Sequence, residues 1–121
     1  MARRQHRRGA IKLPPVEYRD EDGNAILLRC VLSPATRASY ARIATGVRLA
    51  PGASREDAWH RAFEFLFERL AVSWSISGAP DITAQRELLA RLRVASSDER
   101  RWLRERLREH CVEHFPDLAA P

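Results

Sequence analysis

Glycine is scarce in this sequence, with five residues in 121. A loop that cradles phosphate through bare backbone N–H groups needs several closely spaced glycines, so a nucleotide-binding loop has little material here. No G-x-S-x-G turn presents a nucleophile, and no carboxylate pair sits in the apolar sequence that would raise a pKa. Cysteine is limited to Cys30 and Cys111, far apart and without framework spacing, which points to two free thiols in a reducing compartment. No apolar run approaches the ~20 residues that span a bilayer. The basic N-terminus leads into GAIKLPPVEY without the apolar stretch of a secretory signal. Catalysis, a membrane span and any cofactor are therefore not expected, and the compartment expected is the cytoplasm.

Acidic residues are missing from MARRQHRRGAIK, which holds Arg3, Arg4, Arg7, Arg8 and Lys12. The other 16 basic residues are balanced by 16 acidic ones, so the formal net charge of +5 belongs to this arm and the rest of the chain is neutral. Arg3, Arg4, Arg7 and Arg8 could contact phosphates with a salt-sensitive, sequence-independent affinity. A neutral body offers no basic face to extend such a contact. Residues 1–11 read as a flexible basic arm, and residues 12–118 as a single domain.

That domain opens with KLPPVEYRDEDGNAILLRCVL, a β-hairpin over residues 12–32. Val16 and Tyr18 alternate on one side, and Ile26, Leu28, Cys30 and Leu32 on the other, around a D-G-N turn. Pro14 and Pro15 favour an edge position for the first strand. Residues 33–118 read as about four helices. Ser33 caps the first, Pro34 occupies its first position and Gly46 its exit, with Tyr40 and Ile43 as anchors. Ser54 and Asp57 open the second, expected over 55–74. Its polar stripe is Asp57, Arg61, Glu64 and Glu68; Trp59, Phe63, Leu66, Leu70 and Trp74 form the expected core face. Phe65, Phe67 and Val72 widen the apolar arc beyond what one small domain is expected to cover, and with Trp102 they are the expected partner-binding residues. Thr83 caps a third helix with Leu88, Leu89 and Leu92 inward. Ser96 and Glu99 form a capping box for a fourth over 97–114, with Leu103, Leu107 and Cys111 in line and Pro116 ending it. The fold class expected is α+β, mostly α.

Two short motifs invite metal readings. HCVEH at 110–114 fits the H-x-x-E-H pattern of inverted zinc peptidases, since residues four apart share a helix face. Only seven residues follow, too few for a downstream carboxylate ligand; Cys30, Cys111 or His60 could serve only through an unforeseen fold-back. The two histidines are accordingly expected on the solvated end of a helix, where the macrodipole favours cations, and no metal is expected. DEDGN falls short of a calcium loop, because the Gly and Glu positions counted from Asp20 hold Ala25 and Val31.

The order of elements resembles a known family. A strand–turn–strand, VEYRDEDGNAILLRCVL, leads to a short helix. A long apolar helix then ends in V-S-W, the crossing S-I-S-G-A-P follows, and I-T-x-x-R-E-L-L-x-R-L opens the next helix. Over residues 15–95 this looks like the tail assembly chaperones of tailed bacteriophages. The basic arm and the charged last helix depart from that pattern. The resemblance implies a non-catalytic protein of the infected bacterial cytoplasm, acting on the tape-measure protein while the tube protein assembles around it, with homo-oligomers expected. Two other classes are open: a structural subunit of a phage tail, connector or contractile particle, and a small nucleic-acid-binding regulator led by the arginine arm.

Overall fold

The computed structural model describes residues 13–45, 55–118, 120 and 121. The arginine arm, Gly46 and Ser54 lie outside them.

Strands β1 (Val16–Arg19) and β2 (Ala25–Leu28) form the expected hairpin, with Val16 opposite Leu28 and Tyr18 opposite Ile26. Asp20 organises its turn. One carboxylate oxygen accepts from the N–H groups of Asp22 and Asn24, each at 2.9 Å, and the other accepts from the Asn24 side chain at 2.7 Å. The side-chain bond from Asn24 does most to hold the Asp20 carboxyl below its ordinary value. Gly23 takes φ 88°, a region that other residues rarely adopt. β1 is the sheet edge, where its preceding prolines disturb no ladder. Ile26, Leu28, Cys30 and Leu32 are all buried, so the alternation continues past the end of β2.

Helix α1 (Pro34–Ala44) starts as its sequence dictates, the Ser33 hydroxyl accepting from the Thr36 N–H at 3.1 Å. Tyr40 is buried and Ile43 half-buried. Helix α2 (Arg55–Leu70) corrects the expected span: it ends at Leu70, and Ala71–Ser75 form strand β3, antiparallel to β2. Trp74 therefore lies on a strand opposite Ile26 and not on a helix. The helix-like spacing of Leu70, Ala71 and Trp74 has a structural cause. Leu27 faces Ser73 while Leu28 faces Ala71, so Val72 is an extra residue in β3. In a regular strand Ala71 and Trp74 would point to opposite faces; the bulge resets the alternation and both are buried.

Beyond β3 the chain turns at Ile76–Ala79, closed by the Ala79 N–H on the Ile76 carbonyl at 2.9 Å with Gly78 at φ 84°. It returns to exchange two backbone hydrogen bonds between Trp74 and Ile82, both 2.9 Å. Helix α3 (Gln85–Arg93) has Ala84 at its N-cap and no side-chain cap, so Thr83 does not cap it; the Gln85 side-chain amide ties its first turn to α2 by donating to the Glu68 carbonyl at 3.1 Å. Helix α4 (Ser97–His114) carries the expected capping box, with Glu99 N–H to Ser96 Oγ at 3.1 Å and Ser96 N–H to Glu99 Oε1 at 2.9 Å.

The result among the described residues is α+β and mostly α, a three-stranded antiparallel sheet with four helices. Among the described residues no helix is long and apolar enough to cross a membrane. α2 is the central element, packing on α1, α3 and α4, and these neighbours, with Trp74 of β3, cover most of its wide apolar arc. Phe63, Leu66, Phe67 and Leu70 are all enclosed. Phe67 is thus core, contrary to its expected place on a partner surface. It stands i+4 from Phe63 and i−3 from Leu70, on their face of the helix. Trp59 is corrected in the other direction: it is half-buried, with the Arg104 guanidinium 4.9 Å from its ring centroid.

Trp74 sits edge-on to Phe67 with ring centroids 5.8 Å apart, and Arg91 lies 5.1 Å over its ring. With the tryptophan only 2% exposed, Trp74→Ala should lower stability by about 3–5 kcal/mol, the range for truncating a buried large aromatic. Chemical unfolding checks this, and a loss under ~1 kcal/mol would place Trp74 at the surface.

Candidate binding groove

Phe65 stands apart from its neighbours on α2. It lies four residues after Arg61 and three before Glu68, within the polar stripe and beyond the buried arc. In the fold it meets Ile43 of α1 and Leu89 of α3, and these three half-buried side chains floor a shallow groove of about 190 Å³. Arg61, Glu64, Glu68 and Arg93 wall it. The groove continues past Leu89 into a depression of about 430 Å³ that adds Gln85, Arg86 and Ala90. Arg93 pairs with Glu64 at 3.1 Å across one end, and the Arg69 guanidinium lies 5.0 Å from the Phe65 ring centroid. An apolar floor between walls of both signs accepts an amphipathic helix by its apolar stripe.

The other expected partner residues do not join this surface. Val72 is the half-buried bulge residue of β3. Trp102 lines a separate cleft of about 220 Å³ with Trp74, Ile76, Asp20, Asp98 and Glu99, and Arg106 lies 5.6 Å over its ring. Arg91 bridges this cleft to the core, stacked on Trp74 and paired with Glu99 at 2.7 Å. Ile43 and Leu89 were missed as site residues. Each was read as an anchor of its own helix, and nothing local marks that three helices leave their edges at one place.

The histidine motif is the larger correction. His110 is fully buried and not on a solvated helix end. Its Nε2 lies 2.7 Å from the Arg29 carbonyl and its Nδ1 2.8 Å from the Tyr18 hydroxyl. A carbonyl can only accept, so Nε2 carries the proton, and Nδ1 accepts from Tyr18. The Tyr18 ring stands at 88° to the imidazole, and the His114 ring packs beside it with centroids 4.6 Å apart. Residues beyond β2 run past the end of α4, which supplies the fold-back that sequence could not foresee. Cys30, His110 and His114 bring ligand atoms within 4.8 Å of one another, a group among the described residues that could hold a metal ion.

Burial, aided by His114, pushes the His110 pKa below its ordinary value despite the opposing bond to Arg29. Burial, then Glu109 and Glu113, lifts the Tyr18 hydroxyl to about 12. Burial raises both thiols, Cys111 to about 11, and both cysteines are free. Without a metal both are held as protonated thiols, not activated nucleophiles.

An unfolded chain takes up a proton on histidine below about pH 6.5, whereas folded His110 resists until its lower pKa. The metal-free protein should therefore hold this stability above about pH 6.5 and lose it as the pH falls through the folded pKa, at up to ~1.4 kcal/mol per pH unit. An NMR titration of the imidazole resonances checks the sign; a His110 ring that titrates at or above the ordinary value would contradict its neutral, buried state. Compared with known proteins, the chain matches no family model, no curated protein and no solved structure, so its function is read from its own residues.

Proposed function

We propose that this chain is a non-catalytic morphogenesis factor of a tailed bacteriophage. In this reading it is an assembly chaperone that holds an apolar helical segment of the tape-measure protein on the Phe65 groove. The observation that carries the reading is Phe65 itself, a large aromatic only partly buried at the junction of three helices while its neighbours Phe63 and Phe67 are enclosed. A transient client suits a shallow groove with charged walls, because such a surface stays soluble when empty and is not a core cut in half. The order of hairpin, short helix, long helix and leucine-bearing helix over residues 15–95 supports the same reading, although V-S-W lies on β3 and does not end the long helix. The tube protein is the expected second partner, self-association is expected in the free protein, and the bacterial host cytoplasm is the expected setting. The acidic side chains Asp20, Asp98 and Glu99 around the Trp74–Trp102 cleft would repel phosphate, which weighs against a nucleic-acid regulator.

The test is co-expression with the tape-measure protein, whose long gene should lie beside this one. The chain should keep it soluble and bind its amphipathic segments. Phe65→Glu should fold normally by circular dichroism and weaken that binding at least ~10-fold, as loss of a central apolar anchor does. Equal binding by the variant would remove the groove from the mechanism. Retention of the chain in purified tails would favour a structural subunit instead.

A further inference from the structure

We infer that Cys30, His110 and His114 form a zinc site that fastens the end of α4 to the chain leaving β2, a site independent of the Phe65 groove. The donor set is the first argument. One thiolate and two imidazoles are borderline-soft ligands that suit zinc and do not suit magnesium or calcium. The second argument is geometry. Zinc bonds of about 2.0–2.3 Å in tetrahedral array put donors about 3.3–3.8 Å apart, and here all three lie within 4.8 Å before any ion draws them in. His110 and His114 are one helical turn apart, so α4 presents both rings as a rigid pair.

The surroundings complete the case. A zinc-bound histidine usually gives its other N–H to a carbonyl or carboxylate, which fixes its tautomer. His110 already does so through Nε2–H to Arg29 at 2.7 Å. That leaves Nδ1 as the ligating nitrogen, with the Tyr18 hydroxyl, now 2.8 Å away, yielding it to the ion. Glu113 places its carboxylate 4.0 Å from His114 Nε2 and adds negative charge beside the cluster. Binding releases the Cys30 thiol proton to solvent as the Zn–S bond forms. Three protein ligands leave a fourth position for water. Zinc held there would staple β2 to α4, and the folded state would gain stability with zinc concentration by mass action.

The experiment uses the full chain without a histidine tag, reduced and stripped with a chelator, titrated with Co2+ and then Zn2+. One equivalent of cobalt should saturate the protein and give the thiolate-to-cobalt charge-transfer band with the visible bands of a tetrahedral site; zinc should displace it and raise the melting temperature. His114→Ala, at a half-buried position, and Cys30→Ser should each weaken zinc binding beyond the ~10–100-fold that follows loss of a supporting partner. Both variants should remain folded by circular dichroism, and Cys30→Ser should abolish the charge-transfer band. Absence of saturable binding in the unsubstituted chain would overturn the site, as would a zinc affinity that either substitution leaves unchanged.

Discussion

The turn from helix to strand at Leu70 is held by a residue from another element, Arg29, and the remaining architecture depends on it. A helix end leaves its last carbonyls without partners. Arg29 supplies partners for two of them, its N–H to Leu70 at 2.8 Å and its guanidinium to Arg69 at 3.3 Å, and the guanidinium also reaches the Ala71 carbonyl of β3 at 3.1 Å. A cation at that end also meets the negative pole of the helix dipole. The Arg29 carbonyl in turn accepts from His110 at 2.7 Å. One residue thus joins the end of β2, the α2–β3 junction and the last turns of α4. Were α2 to continue as helix, β3 would be lost, and a two-stranded hairpin alone is marginal in water.

From that junction the two surfaces of interest follow. Ending α2 at Leu70 lets β3 carry Trp74 into the core against Phe67, and the return through Ile82 sets α3 beside α2. With α1 packed on α2 as well, the floor of the Phe65 groove is assembled from three helix edges. The chain beyond β2, running past α4, brings Cys30 to His110 and His114. Groove and cluster therefore have different supports, the first in helix packing and the second in the strand end.

Much of the local structure was legible from residue types. The Asp20–Asn24 turn, the Ser33 cap, the Ser96–Glu99 box and the alternation from Ile26 to Leu32 rest on chemistry between near neighbours, and they appear in the fold as read. The end of α2 was misread because a bulged strand imitates helical spacing: buried Leu70, Ala71 and Trp74 satisfy either period when Val72 is extra. Phe67 was misplaced for a different reason. Its positions relative to Phe63 and Leu70 put it on the buried face, but a count of apolar side chains overstated the surplus. Phe65, set among Arg61 and Glu68, was the residue that pattern alone could single out.

What the sequence determined by itself is the set of short-range commitments: where α1 and α4 are capped, where chains must turn, and which faces are largely apolar. These depend on hydrogen bonds and φ preferences within a few residues. Tertiary structure alone decided where Leu70 stops being helical, how many neighbours α2 has, and that Cys30 meets a histidine pair some eighty residues later. The reason is physical: a carbonyl can be capped from across the fold, and a bulge appears only when a partner strand sets the register. Cys30 and a histidine pair some eighty residues away likewise come together only after the core has closed.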